Sequence, residues 1–119
     1  MIDPNVVPVS EHPASHEFST EIVDDRLVVT GDVDNATAPT LEAQIARKSR
    51  SGTYPLTVDL SAATHLGSSG LRVLAEALER ARHHGTELAL VAPPGSPAHH
   101  VLMLVGLPLT TEAIANRVE

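Results

Sequence analysis

Val58-Asp59-Leu60-Ser61-Ala62-Ala63-Thr64-His65-Leu66-Gly67-Ser68-Ser69-Gly70-Leu71-Arg72-Val73-Leu74 is the stretch that decides the fold. Leu56 to Leu60 is mostly apolar with weak alternation, as expected of a central strand buried on both faces. A short loop from Ser61 then leads into a helix whose first residues are small and hydroxylic. Leu71, Leu74, Ala75 and Leu78 recur at helical spacing, while Arg72, Glu76, Glu79 and Arg80 fall mostly on the opposite face. Gly85 is a natural C-terminal stop. A buried strand, a tight turn and an amphipathic helix are half of a parallel crossover unit, because parallel neighbours cannot be joined by a hairpin.

Upstream, Phe18 to Val23 and Leu27 to Thr30 are short runs rich in apolar and β-branched residues, separated by Asp24, Asp25 and Arg26, and read as a hairpin. Thr37 then caps a helix with Pro39 in its first turn and Leu41 and Ile45 on one face. Arg47, Lys48 and Arg50 stand near its negative end, and Gly52 stops it. Downstream, Glu87 to Ala92 is another apolar strand. Pro93, Pro94 and Gly95 break the chain before Ser96 and Pro97 open a third helix with Val101, Leu102 and Val105 as its buried stripe. Gly106 and Pro108 end it, and Leu109 to Glu119 reads equally as a last strand or a helix. The order ββαβαβα calls for a single α/β domain, a mostly parallel β-sheet with helices packed against it. Met1 to His16, with Pro4, Pro8 and Pro13 among polar residues, reads as a flexible N-terminal tail, leaving residues 17–119 as the domain.

Composition narrows the function. The 119 residues suffice for one core and not for two. The absence of cysteine removes disulfides, thiolate metal sites and thiol nucleophiles, and fits a reducing compartment. No basic leader with an apolar run opens the chain, and no stretch approaches the roughly 20 apolar residues of a bilayer span. The expectation is a soluble cytoplasmic protein without a membrane partner. A formal charge of −7, from 15 acidic residues against 8 lysines and arginines, repels polyphosphate backbones. Phe18 and Tyr54 are the only aromatic residues, too few for a stacking platform, so nucleic acid is not an expected partner.

The turn at Gly67 to Gly70 holds the chemistry. A helix N-terminus presents unpaired N–H groups and partial positive charge, so a serine there caps the helix or carries an anion. On spacing alone, capping by Ser68 or Ser69 is the plainer reading. A serine nucleophile with His65 as its base is disfavoured, because Gly67-Ser68-Ser69-Gly70 does not match the Gly-x-Ser-x-Gly elbow of hydrolases in either register. The members of each pair, His83-His84 and His99-His100, point about 100° apart on a helix, and no third ligand at i+4 on the same helix completes a site with either pair, so they read as solvated helix ends and no metal is expected. Asp32 and Asp34 read as exposed loop carboxylates in preference to an acid–base pair, and the Asn35-Ala36-Thr37 sequon carries no weight in a chain without signs of secretion.

The stretch from Val58 to Leu74 resembles the signature of the STAS family, bacterial anti-sigma factor antagonists and related regulatory domains, in which an apolar strand ends in Asp-Leu-Ser and leads to Asp-Ser-Ser-Gly-Leu. Gly31-Asp32-Val33-Asp34-Asn35-Ala36-Thr37 is similar to the family's Gly-Glu-Leu-Asp stretch, and Leu88-Ala89-Leu90-Val91 and Val105-Gly106-Leu107 are similar to its fourth strand and the end of its third helix. The likeness runs from Phe18 to Leu109. It implies a protein that binds an anti-sigma factor which is also a serine kinase of the histidine-kinase-like ATPase type. It further implies that Ser68 is the phosphorylated residue, with Asp34, Gly67, Ser68, Ser69, Gly70 and Arg72 as the partner-binding set. The chain is then the kinase's substrate, is no enzyme, and requires no cofactor. One departure stands out. The family's aspartate before the phosphorylated serine is Gly67 here, which removes a carboxylate able to orient the hydroxyl or accept its proton. A STAS module acting without phosphorylation, as a scaffold, ligand-binding domain or intramolecular regulator in a larger signalling system, is the alternative.

Overall fold

The computed structural model describes residues 17–110, so the proposed tail and most of the stretch after Leu109 lie outside it. The hairpin forms from β1 (Ser19–Val23) and β2 (Arg26–Val33), with Val23 paired to Arg26 across a two-residue turn. Asp24 and Asp25 both have positive φ, 52° and 67°, the backbone that a tight antiparallel hairpin demands. Strand β2 alternates strictly. Leu27, Val29, Gly31 and Val33 are buried, and the residues between them are half-buried. It runs three residues past Thr30, taking in Gly31, Asp32 and Val33.

Helix α1 (Ala38–Ser49) buries Leu41 and Ile45 as its spacing requires. Two details differ from the sequence reading. Thr37 occupies the cap position but its side chain makes no capping bond. The helix also ends before Gly52, at Arg50, which with Ser51 adopts the left-handed conformation at φ 50° and 59°. Gly52 serves packing as well: a β-carbon there would stand 3.0 Å from Arg80 Cγ.

Strand β3 (Leu56–Leu66) is 11 residues long, so the segment from Ser61 to Leu66 is strand and not the expected loop. The physical reason is a pair of bulges. Register runs from Val28–Asp59 to Thr30–Ala62, and again from Gly31–Ala63 to Asp32–His65, each time spending one extra residue on β3. Leu60, Ala63 and Leu66 therefore stay buried at a spacing of three. Such a spacing hides the period of two that marks a strand. Asp59 anchors the first bulge, its Oδ1 accepting from the Ser61 amide at 3.0 Å and from the Ser61 hydroxyl at 2.5 Å.

Helix α2 (Ser68–His84) follows, and Gly85 closes it at φ 73°. Its fully buried stripe is Gly70, Val73, Leu74, Ala77 and Ala81, whereas Leu71 and Leu78 pack against the core only in part. Strand β4 (Leu88–Val91) completes a sheet of order β1-β2-β3-β4, antiparallel at the hairpin and parallel elsewhere. Helices α1 and α2 pack on each other and on the sheet. Helix α3 (Pro97–Val105) packs on β3 and is capped by Ser96, whose hydroxyl accepts from the His99 amide at 3.2 Å. Of its expected stripe Leu102 is buried and Val101 half-buried, but Val105 is 52% exposed; Ala98 supplies the second fully buried position. Beyond α3, Thr110 bridges to Val91 in parallel, exchanging backbone bonds with Leu90 and Ala92. Thr110, the last described residue, thus lies alongside β4.

Candidate partner-binding site

Two loops at the carboxyl ends of β2 and β3 build the site. The first is the turn from Asp34 to Thr37. The Asp34 carbonyl accepts from the amides of Thr37 and Ala38 at 3.2 and 2.8 Å, and its carboxylate Oδ1 accepts from the amides of Ala36 and Thr37 at 3.0 and 3.1 Å. Thr37 Oγ1 donates to the Asp32 carbonyl and accepts from the Asp34 amide. These bonds hold the Asp34 carboxyl below the usual carboxylate range, the Thr37 amide being the largest cause. Asp34 is exposed, so the same side chain that shapes the turn also faces solvent.

The second loop is the junction of β3 and α2. The Gly67 amide donates to the Val33 carbonyl at 2.9 Å, and the Gly67 carbonyl accepts from Leu71 at 3.0 Å. Gly67 is the helix cap, at φ −85° and ψ −178°, an extended conformation open to any residue. Neither serine caps the helix; no side chain does. Ser68 is its first residue and is exposed. Ser69 Oγ instead hydrogen-bonds Asn35 Oδ1, which ties the start of α2 to the Asp34 turn. Asn35 is not in the partner-binding set that the resemblance implies, although its place beside Asp34 in a turn between a strand and a helix is a usable signal.

The six candidate residues do not share one role. Asp34, Gly67, Ser68 and Ser69 are brought together by the Val33–Gly67 and Asn35–Ser69 bonds. Arg72 is exposed one turn further along α2. Gly70 is buried: a β-carbon there would lie 2.6 Å from Val33 Cγ1 and 2.9 Å from Leu66 Cδ1. Its glycine is required by packing between α2 and the strand ends. The first turn of α2 contains no acidic side chain, so its unpaired N–H groups and partial positive charge have no countercharge from the helix itself.

This arrangement can be set beside known proteins. A STAS domain model matches residues 18–114. An anti-sigma factor antagonist from Mycobacterium paratuberculosis is 30% identical and superposes with a TM-score of 0.64 over 84% of this chain and 88% of that one. The anti-sigma factor antagonist SpoIIAA in its unphosphorylated form is 18% identical and superposes at 0.63 over 84% of this chain and 90% of its own. The phosphorylated form of SpoIIAA, from Bacillus, is also 18% identical and gives 0.60 over 84% and 94%. At that identity the SpoIIAA pair speaks for the fold alone. The family match spans every described strand and helix, bulged β3 and its serine-bearing turn included, and on it this chain belongs to the STAS domain family.

Proposed function

We propose that the chain is an anti-sigma factor antagonist that works in the cytoplasm, binds an anti-sigma factor which is also a serine kinase of the histidine-kinase-like ATPase type, and is switched by phosphorylation of Ser68. The observation that carries this reading is the position of Ser68, exposed as the first residue of α2 beside a first turn without acidic residues. A phosphate there gains from the helix N-terminus. It also places roughly −1.5 to −2 charges, at pH 7, on the surface a partner must cover. Stability therefore survives modification while recognition does not. Asp34, Ser69 and Arg72 frame that surface, and the chain acts as bait and substrate with no cofactor of its own. The missing carboxylate at Gly67 favours, as a second reading, a module that binds its partner without being phosphorylated.

The test is a pull-down from native cell extract with and without ATP, followed by mass spectrometry of the Ser68 peptide. Capture of an ATPase-type kinase by the wild type, its loss with a folded Ser68→Asp variant, and phosphate on Ser68 support the antagonist. Equal capture by wild type and Ser68→Asp removes Ser68 from the interface. Capture that ignores ATP and leaves Ser68 unmodified selects the second reading.

A further inference from the structure

His65, set aside with the hydrolase elbow, has a defined place at this site. Its Nε2 stands 3.4 Å, and its Cδ2 3.9 Å, from where a β-carbon on residue 67 would sit. The imidazole thus lies against the side of Gly67 from which a carboxylate at that position would extend. The second bulge of β3 is what brings it there. Thr64 is the extra residue between the Gly31–Ala63 and Asp32–His65 register pairs, and a bulge re-aims the side chains at the end of a strand. Thr64 Oγ1 meanwhile donates to Asp32 Oδ1 at 2.6 Å. His65 is exposed, and its ring makes no hydrogen bond among the described residues.

We propose that His65 supplies the proton acceptor that Gly67 lacks, and afterwards pairs with the phosphate it has helped to install. The inference rests on the reading of Ser68 as the phosphorylated residue. In the step, Ser68 Oγ attacks the γ-phosphorus of the kinase's ATP, the new O–P bond forms, and the bond to the β,γ-bridging oxygen breaks to release ADP. The hydroxyl proton passes to His65 Nε2. An imidazolium is left beside a phosphoserine, so one residue serves both the transfer and its product. The Asp32 carboxylate stands in register with His65 on β2, Asp34 follows in the next turn, and the Arg72 guanidinium lies further along α2.

The first arm of the test needs no kinase. Protein with phosphoserine installed at position 68 during translation is compared with the unmodified chain by NMR of the histidine rings, with His65→Gln assigning the signal. The midpoint of the His65 titration should rise by about 0.5 pH unit or more on phosphorylation; an unchanged midpoint overturns the proposal. The second arm follows phosphate incorporation in native extract with ATP across pH. The wild-type rate should fall as the imidazole becomes protonated. His65→Gln should be slower by about tenfold or more and lose that pH dependence, and Gly67→Asp in the His65→Gln background should restore the rate. A His65→Gln protein phosphorylated at the wild-type rate also overturns the proposal. No phosphate on Ser68 in either wild type or Gly67→Asp defeats the phosphorylation reading instead, and the NMR arm still decides the place of His65.

Discussion

The amide of Gly67 is bound to the carbonyl of Val33 at 2.9 Å, so the serine-bearing turn hangs from the end of β2 by its backbone. Because that anchor needs no side chain, and because φ at Gly67 is −85°, residue 67 is open to substitution. Gly67→Asp should fold normally. The new carboxylate would cap α2 and face its positive end, stabilising the protein by a few tenths to about 1 kcal/mol. Urea unfolding followed by circular dichroism checks this, and a loss of stability would show that the space beside His65 is tighter than its 3.4 Å contact implies.

Gly70 should behave in the opposite way. The family resemblance puts Gly70 in the partner-binding set, but a β-carbon at this position runs into Val33 and Leu66 at 2.6 and 2.9 Å. Gly70→Val should therefore cost about 1 to 3 kcal/mol, with Gly70→Ala between it and the wild type. Chemical denaturation measures both, and a Gly70→Val protein as stable as the wild type would contradict the packing described.

The Asp34 carboxyl is held low by the Thr37 and Ala36 amides, which fixes the sign of its effect on stability. A depressed folded-state value means that its contribution is whole well above the ordinary value of 3.8 and is lost as pH falls through and below it. Asp34→Ala should be less stable than wild type at neutral pH, and the difference should shrink on acidification. Unfolding measured from pH 6 to pH 2 tests this; a difference that grows with acidity has the wrong sign.

Ser69 and Asn35 should be energetically coupled. Their side-chain bond joins α2 to the Asp34 turn across 34 residues of sequence. A double-mutant cycle of Ser69→Ala and Asn35→Ala should return about 0.5 to 1.5 kcal/mol of interaction energy. Additive single effects would mean that the bond contributes nothing net.

Much of this molecule is legible in its sequence, and the failures share a cause. The hairpin, the three helices and the parallel strands follow from periodicity and turn residues acting locally. What escaped was set by partners distant in sequence. Ser61 to Leu66 reads as a loop because two bulges turn the spacing of its buried residues into three, and only pairing with β2 shows why. Arg50 and Ser51 take left-handed backbone that glycine would have advertised. Gly70 looks like a turn glycine until Val33 and Leu66 are seen beneath it. The apolar end of α3, where Leu104 is 72% exposed and Val105 52%, looks like core because composition does not say which side of a helix meets the sheet.

The bond from Gly67 back to Val33 also carries a kinetic consequence. Its two ends are separated by a whole crossover, so the turn cannot form by local collapse in the way that the β1–β2 hairpin or α2 can. Closing such a loop must wait for β2 and β3 to find each other in parallel, the slow kind of pairing in domains of this size. A refolding chain should therefore show protected amides in the hairpin and α2 before the Gly67 amide becomes protected. Any opening that parts β3 from the end of β2 should erase the display of Ser68 while leaving most of the helical signal in place.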